Sequence, residues 1–152
     1  MATVVKGIEG FQPLEGRHLG WSNWHLVDQD RVNLFADATD DHQWIHVDPE
    51  RAAAGPFGST IAHGYLTLSL APVLLHDVLE VEGMGFGVNY GCNRVRFPAP
   101  LKVGSRVRLG AEVAKVEEVS GGGVQVTLGL TIEAEGSEKP CCVAEVVYRY
   151  YA

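Results

Sequence analysis

Asp41, His46 five positions later, and a His63-Gly64 pair at the head of an apolar run all fall within residues 38–70. A carboxylate and an imidazole on one ordered loop can hold a water between them, one taking its proton while the other gives a proton elsewhere. A glycine N–H at a helix start can stabilise negative charge growing on a thioester oxygen. Together these are parts from which a site for adding water can be built. Each also has a structural reading. Asp and His serve as loop and capping residues, glycine permits tight packing, and Ser69, about one and a half turns on, either reaches the same space or bonds its own helix.

Other constellations are weaker. His42 and His46 stand at i, i+4 with Asp48 nearby, but no H-E-x-x-H pattern accompanies them and a loop carries them, so no metal is expected. There is no Gly-rich phosphate loop, no G-x-S-x-G nucleophile, and no Cys paired with a nearby His.

The elements that must position these residues follow from periodicity. Residues 1–16 carry few patterned apolar residues and read as a lead-in that crosses the surface. The run LGWSNWHLV (19–27) reads as a first strand. Asp28 caps a short helix over 29–38, with Val32, Phe35 and Ala36 at helical spacing. That helix ends in the acidic turn Thr39-Asp40-Asp41. Asp48-Pro49 starts another short helix that Gly55 stops, which places His46 just before a helix start. A longer helix is expected from about 60 to 79, with apolar residues nearly all round and a kink at Pro72. The period then switches to two, giving strands at about 87–97, 105–119, 123–133 and 141–150. The class is α+β, an antiparallel β-sheet curled around a long central α-helix, in a single domain over 1–152.

Hydrophobic residues are 46% and charged residues 20%, which suits a packed globular chain and not a disordered one. The net charge of −7 argues against nucleic acid as a partner. No stretch is long and apolar enough to span a bilayer, and the N-terminus lacks a secretory pattern, so neither a membrane location nor secretion is expected. The adjacent Cys141 and Cys142 suit buried free thiols, and a cytoplasmic location fits. Six of the 12 basic residues lie between Arg94 and Lys115 against the single acid Glu112. They form either solvated strand faces or a docking patch for a phosphorylated cofactor tail.

The stretch ATDDHQWIHVDPERA resembles the hydratase motif of the MaoC-like, (R)-specific enoyl-CoA hydratases of the hot dog fold, and most closely their bacterial NodN-like subgroup. The segments I-A-H-G-Y and V-R-F-P-A-P-L-K-V-G-S also resemble family segments, so the likeness runs from about residue 16 onward. It implies that Asp41 and His46 are the catalytic pair, with His46 as base and Asp41 as acid or water orienter. It also implies that the Gly64 N–H is the oxyanion donor in adding water to a 2-trans-enoyl-CoA to give the (R)-3-hydroxyacyl-CoA. Gln43, Phe57, His63, Tyr65 and Ser69 are then candidates for lining the substrate site, and Arg94 and Arg96 for meeting the CoA phosphates. No cofactor is implied, since CoA is part of the substrate; an acyl carrier protein is an alternative carrier, and a homodimer paired sheet edge to sheet edge is expected. Two departures stand out: Asp40 replaces the glycine before the acid, and Gln43-Trp44 replaces Asn-Pro after it. The competing readings are a thioesterase on the same scaffold and a non-catalytic acyl-thioester binding protein in which Asp40 and Trp44 have spoiled the site.

Overall fold

The structure, a computed structural model, describes residues 1–152. Its strands are β1 (Thr3–Lys6), β2 (His18–Trp21), β3 (His25–Val27), β4 (Leu79–Glu82), β5 (Phe86–Arg96), β6 (Ser105–Val119), β7 (Gly123–Ala134) and β8 (Cys142–Tyr151). Its helices are α1 (Gln29–Thr39), α2 (Trp44–Val47), α3 (Pro49–Ala53), α4 (Gly64–Ser69) and α5 (Ala71–Leu75). The main sheet is antiparallel in the order β2-β6-β7-β8-β5, with β3 also on β6.

Alternation builds one wall of the core. Val107, Leu109, Ala111 and Val113 of β6, Val124, Val126, Leu128, Leu130 and Ile132 of β7, and Ala144, Val146 and Tyr148 of β8 are all buried. The other wall is Leu66, Leu70 and Leu74, spaced four apart on α4 and α5, with α4 against β8 and α5 against β6. This is the expected sheet curled around a helical element. No helix is long and apolar enough to cross a membrane.

Three expectations are corrected. The long helix over 60–79 is shorter and divided: residues 60–63 are extended, Ile61 bridges Lys102, and the helix begins at Gly64. Pro72 has no N–H to donate to the Leu68 carbonyl, so the helix breaks at Leu70, which gives its own N–H to Leu66 C=O (3.1 Å) and accepts the Leu74 N–H (3.0 Å). Nor is it enclosed all round, because Tyr65, Ser69 and Val73 form an exposed stripe.

The lead-in is part of the fold. β1 pairs in parallel with β4, a strand that begins where the expected helix ends, and Val5, Phe11 and Leu14 are buried. That pairing joins residues far apart in sequence, and a four-residue strand leaves little periodicity to read. The strand over 19–27 is two strands. At Ser22 the side chain enters the ladder, its Oγ accepting the Leu109 N–H at 2.8 Å, and the chain turns before resuming on β6.

Leu74 has no solvent exposure. Leu74→Ala is expected to cost about 2–5 kcal/mol in urea denaturation. Leu34→Ala, at a residue 69% exposed, should stay within about 0.5 kcal/mol.

Candidate active site

Asp28 caps α1 by accepting the Arg31 N–H at 2.9 Å. At the other end the chain reverses through Asp40, whose φ of 58° and ψ of 24° are left-handed, the one positive φ outside glycine. Aspartate is among the few side chains that visit this region. Asp40 thus takes the backbone role glycine has in the related motif. The reversal delivers Asp41 beside the start of α4, where its main-chain oxygen accepts the His63 Nε2–H at 2.9 Å. Its carboxylate stays half exposed, with Oδ2 4.0 Å from His63 Nε2.

His46 sits inside the one-turn helix α2 and not on the connection before it, and only 7% of it is exposed. Its Nδ1 lies 2.7 Å from the Ile61 carbonyl oxygen. A carbonyl only accepts, so Nδ1 carries the proton and Nε2 keeps its lone pair. Burial lowers the His46 pKa from its ordinary 6.5, and His63 adds to that effect, against the bond to Ile61 and the charge of Asp41, which raise it. Two imidazoles thus stack face to face, the His46 and His63 centroids 3.8 Å apart at 22°. Phe35 packs on His63 with centroids 4.9 Å apart. His63 is 3% exposed, and its Nδ1 is buried with no partner.

Asp41, His46 and His63 each offer one donor atom within 4.8 Å of the others, so this trio is the group that can hold a small occupant. Tetrahedral zinc ligands at ~2.1 Å stand only about 3.4 Å apart. Partners of one water at ~2.8 Å stand roughly 4.6 Å apart. The spread and the parallel rings, whose in-plane lone pairs do not converge on one ion, suit a water better. The trio weighed from sequence does not assemble: His42 bonds to Asp37 at 2.9 Å and Asp48 caps α3 by accepting the Arg51 N–H at 3.1 Å.

Gly64 is the first residue of α4, and a Cβ built on it would lie 3.0 Å from the Phe97 ring. Phe97, just past β5, therefore covers the glycine closely, and its ring meets Tyr65 edge-on at 6.2 Å. Nothing in the V-R-F run announces this contact, nor the packing of Phe35 on His63. Tyr65 is 72% exposed, and Ser69 Oγ donates to the Tyr65 carbonyl at 2.6 Å, the self-satisfied reading of that serine. Gln43 is the exposed N-cap of α2, and Phe57 is half-buried in the turn before Thr60. Arg94 and Arg96 line a concavity of about 560 Å³ on the face of the sheet opposite the helices, with His18, Glu112 and Glu145. A groove of about 270 Å³ between α4, α5, β5 and β8 includes Ser69. Neither touches Asp41, His46 or His63.

Comparison with known proteins shows the family of the chain. The MaoC-like domain family matches residues 10–135. The chain is 58% identical over 137 residues to 3-hydroxyacyl-thioester dehydratase Z of Mycobacterium tuberculosis, covering 90% of this chain and 91% of that one. It is 48% identical over 132 residues to nodulation protein N of Rhizobium leguminosarum, covering 85% and 81%. Among solved structures, the (R)-hydratase from A. caviae aligns with a TM-score of 0.71 at 28% identity, covering 90% of this chain and 97% of that one. An R-hydratase from Pseudomonas aeruginosa shares the fold with a TM-score of 0.71 at 21% identity, over 95% and 85% of the two chains. The chain therefore belongs to the MaoC-like dehydratase family, a hydratase/dehydratase of the hot dog fold.

Proposed function

We propose that the protein interconverts 2-trans-enoyl and (R)-3-hydroxyacyl thioesters, with Asp41 and His46 acting on one water. The observation that carries this reading is the buried His46, with Nδ1–H given to Ile61 and the Nε2 lone pair left free beside the Asp41 carboxylate. In hydration Nε2 takes a proton from a water that Asp41 orients, and the hydroxyl oxygen bonds to C3. The π electrons move toward the thioester oxygen, to which the Gly64 N–H donates, and C2 then takes the proton that Nε2 removed from the water, returning the imidazole to its neutral form. Dehydration runs the same steps backward. No cofactor enters the balance.

The rest of the substrate follows from placement. Arg96 directly precedes Phe97, which lies on Gly64. This adjacency in the chain is what supports the basic end of β5 as a docking place for CoA phosphates, although the concavity lined by Arg94 and Arg96 is on the other face of the sheet. An acyl carrier protein can present the same thioester. β5 is paired only with β8 and is exposed along its length, with Phe86 and Tyr90 on the outer face beside Tyr151 and Arg149 and with Asn89 and Gly91 bordering the groove that includes Ser69. A second copy paired along β5 would cover that open edge, which supports a homodimer. Burial holds the free thiols of Cys141 and Cys142 up at about 12 and about 11, in keeping with a reducing, cytoplasmic setting.

Mixing the protein with crotonyl-CoA should remove the conjugated enoyl absorbance without releasing free thiol, and the product should be the (R) alcohol. Thiol release would indicate a thioesterase, and no change with short, medium or long chains would leave a binding protein. Asp41→Asn and His46→Gln should each lower kcat/KM about 100-fold or more with the thermal midpoint kept.

The pH profile carries a sign. A base whose pKa is lowered stays neutral, and so competent, at pH values where an ordinary imidazole is already charged. The acidic limb of kcat/KM is therefore expected to have its midpoint below 6.5.

A further inference from the structure

Gln29 opens α1, far in sequence from the reacting groups, and its half-buried side chain joins three segments. Nε2 donates to the His46 main-chain oxygen at 2.8 Å and to Asn33 Oδ1 at 2.9 Å. Oε1 accepts from Thr60 Oγ1 at 2.7 Å. The amide cannot be turned round, because the His46 carbonyl has nothing to donate and requires the nitrogen.

Helix α2 has four residues, too few to hold its own conformation, and its last carbonyls lack intrahelical donors. Gln29 supplies the donor for the carbonyl of His46 itself. Its other end holds Thr60, the residue before Ile61, whose carbonyl accepts the His46 Nδ1–H. One side chain therefore grips both the backbone that carries the imidazole and the segment that carries its acceptor.

We propose that Gln29 is a positioning residue for His46, fixing the spacing of α2 and residues 60–61 so that Nδ1 stays on the Ile61 carbonyl and Nε2 stays aimed at the water. The functional part of this inference rests on the proposed hydration chemistry, whereas the geometric part does not.

Two variants test it. Gln29→Met keeps the length and removes both kinds of hydrogen bond. Gln29→Glu keeps an acceptor for Thr60 and removes the nitrogen that donates to His46 and Asn33. With crotonyl-CoA, each is expected to lower kcat about 10- to 100-fold, the scale of a small misplacement of a reacting group, while KM changes less than about threefold. A crystal structure of either variant should show the His46 Nδ1 to Ile61 oxygen distance lengthened beyond hydrogen-bonding range or the ring rotated. Unchanged kcat in an active background, or an undisturbed Nδ1 contact in the crystal, would overturn the role of Gln29. So would unfolding of both variants by circular dichroism, which would mark it as a purely structural residue. An inactive wild-type protein would instead overturn the hydratase reading, and the crystallographic arm would still decide the geometry.

Discussion

The hydrogen bond from His46 Nδ1 to the Ile61 carbonyl is the contact on which the site depends. It sets the tautomer of the imidazole, and so decides which nitrogen has a lone pair to offer. It also requires residues 60–63 to be extended, since a helix there would spend the Ile61 carbonyl on its own backbone. The Ile61 N–H to Ile45 C=O bond, at 3.0 Å, locks the same two segments from the other direction. His63 then follows immediately, stacks on His46 and ties Asp41 by its main chain. Burial disfavours charge on His46, which favours its neutral form.

The scaffold makes that arrangement affordable to the chain. The sheet buries a continuous apolar face against Leu66, Leu70 and Leu74, anchoring α4 so that its first residue, Gly64, lies under Phe97. The site itself is built from short pieces, α2, α3 and an extended segment, that have little stability of their own and are held by side-chain caps at Asp28, Gln29 and Asp48. This division, a rigid core carrying a polar loop cluster, is a common way for folds to host chemistry. The open edge of β5, exposed along its length, is where a second copy has an unpaired strand to cover.

Much of the fold is legible in the chain because it is written in local signals. The strands over 105–119 and 123–133 are found within a residue of β6 and β7, since period-two apolar runs between glycine turns leave few alternatives. α1 is equally clear from its Asp28 cap. What is not legible is what depends on distant partners. β1 and β4 become strands only through each other, and the break at Leu70 needs the position of Pro72 relative to a helix that starts four residues later than expected. In the candidate site, the types and spacing of Asp41, His46 and Gly64 are the signal behind the proposed chemistry, but the stacking of His63, the contact of Phe97 and the reach of Gln29 are tertiary and leave no periodic trace. Asp40, where the resembled motif has glycine, adopts a left-handed φ that aspartate tolerates better than most side chains.

The central claim is that His46 is a neutral base with its proton on Nδ1 and its lone pair on Nε2. Nitrogen-15 NMR of the histidine rings at neutral pH, with His46 assigned by its loss in His46→Gln, reads this tautomer directly. The expected result is a protonated Nδ1 and a bare Nε2 for His46. A proton on Nε2 with a bare Nδ1, or protons on both nitrogens, would contradict it.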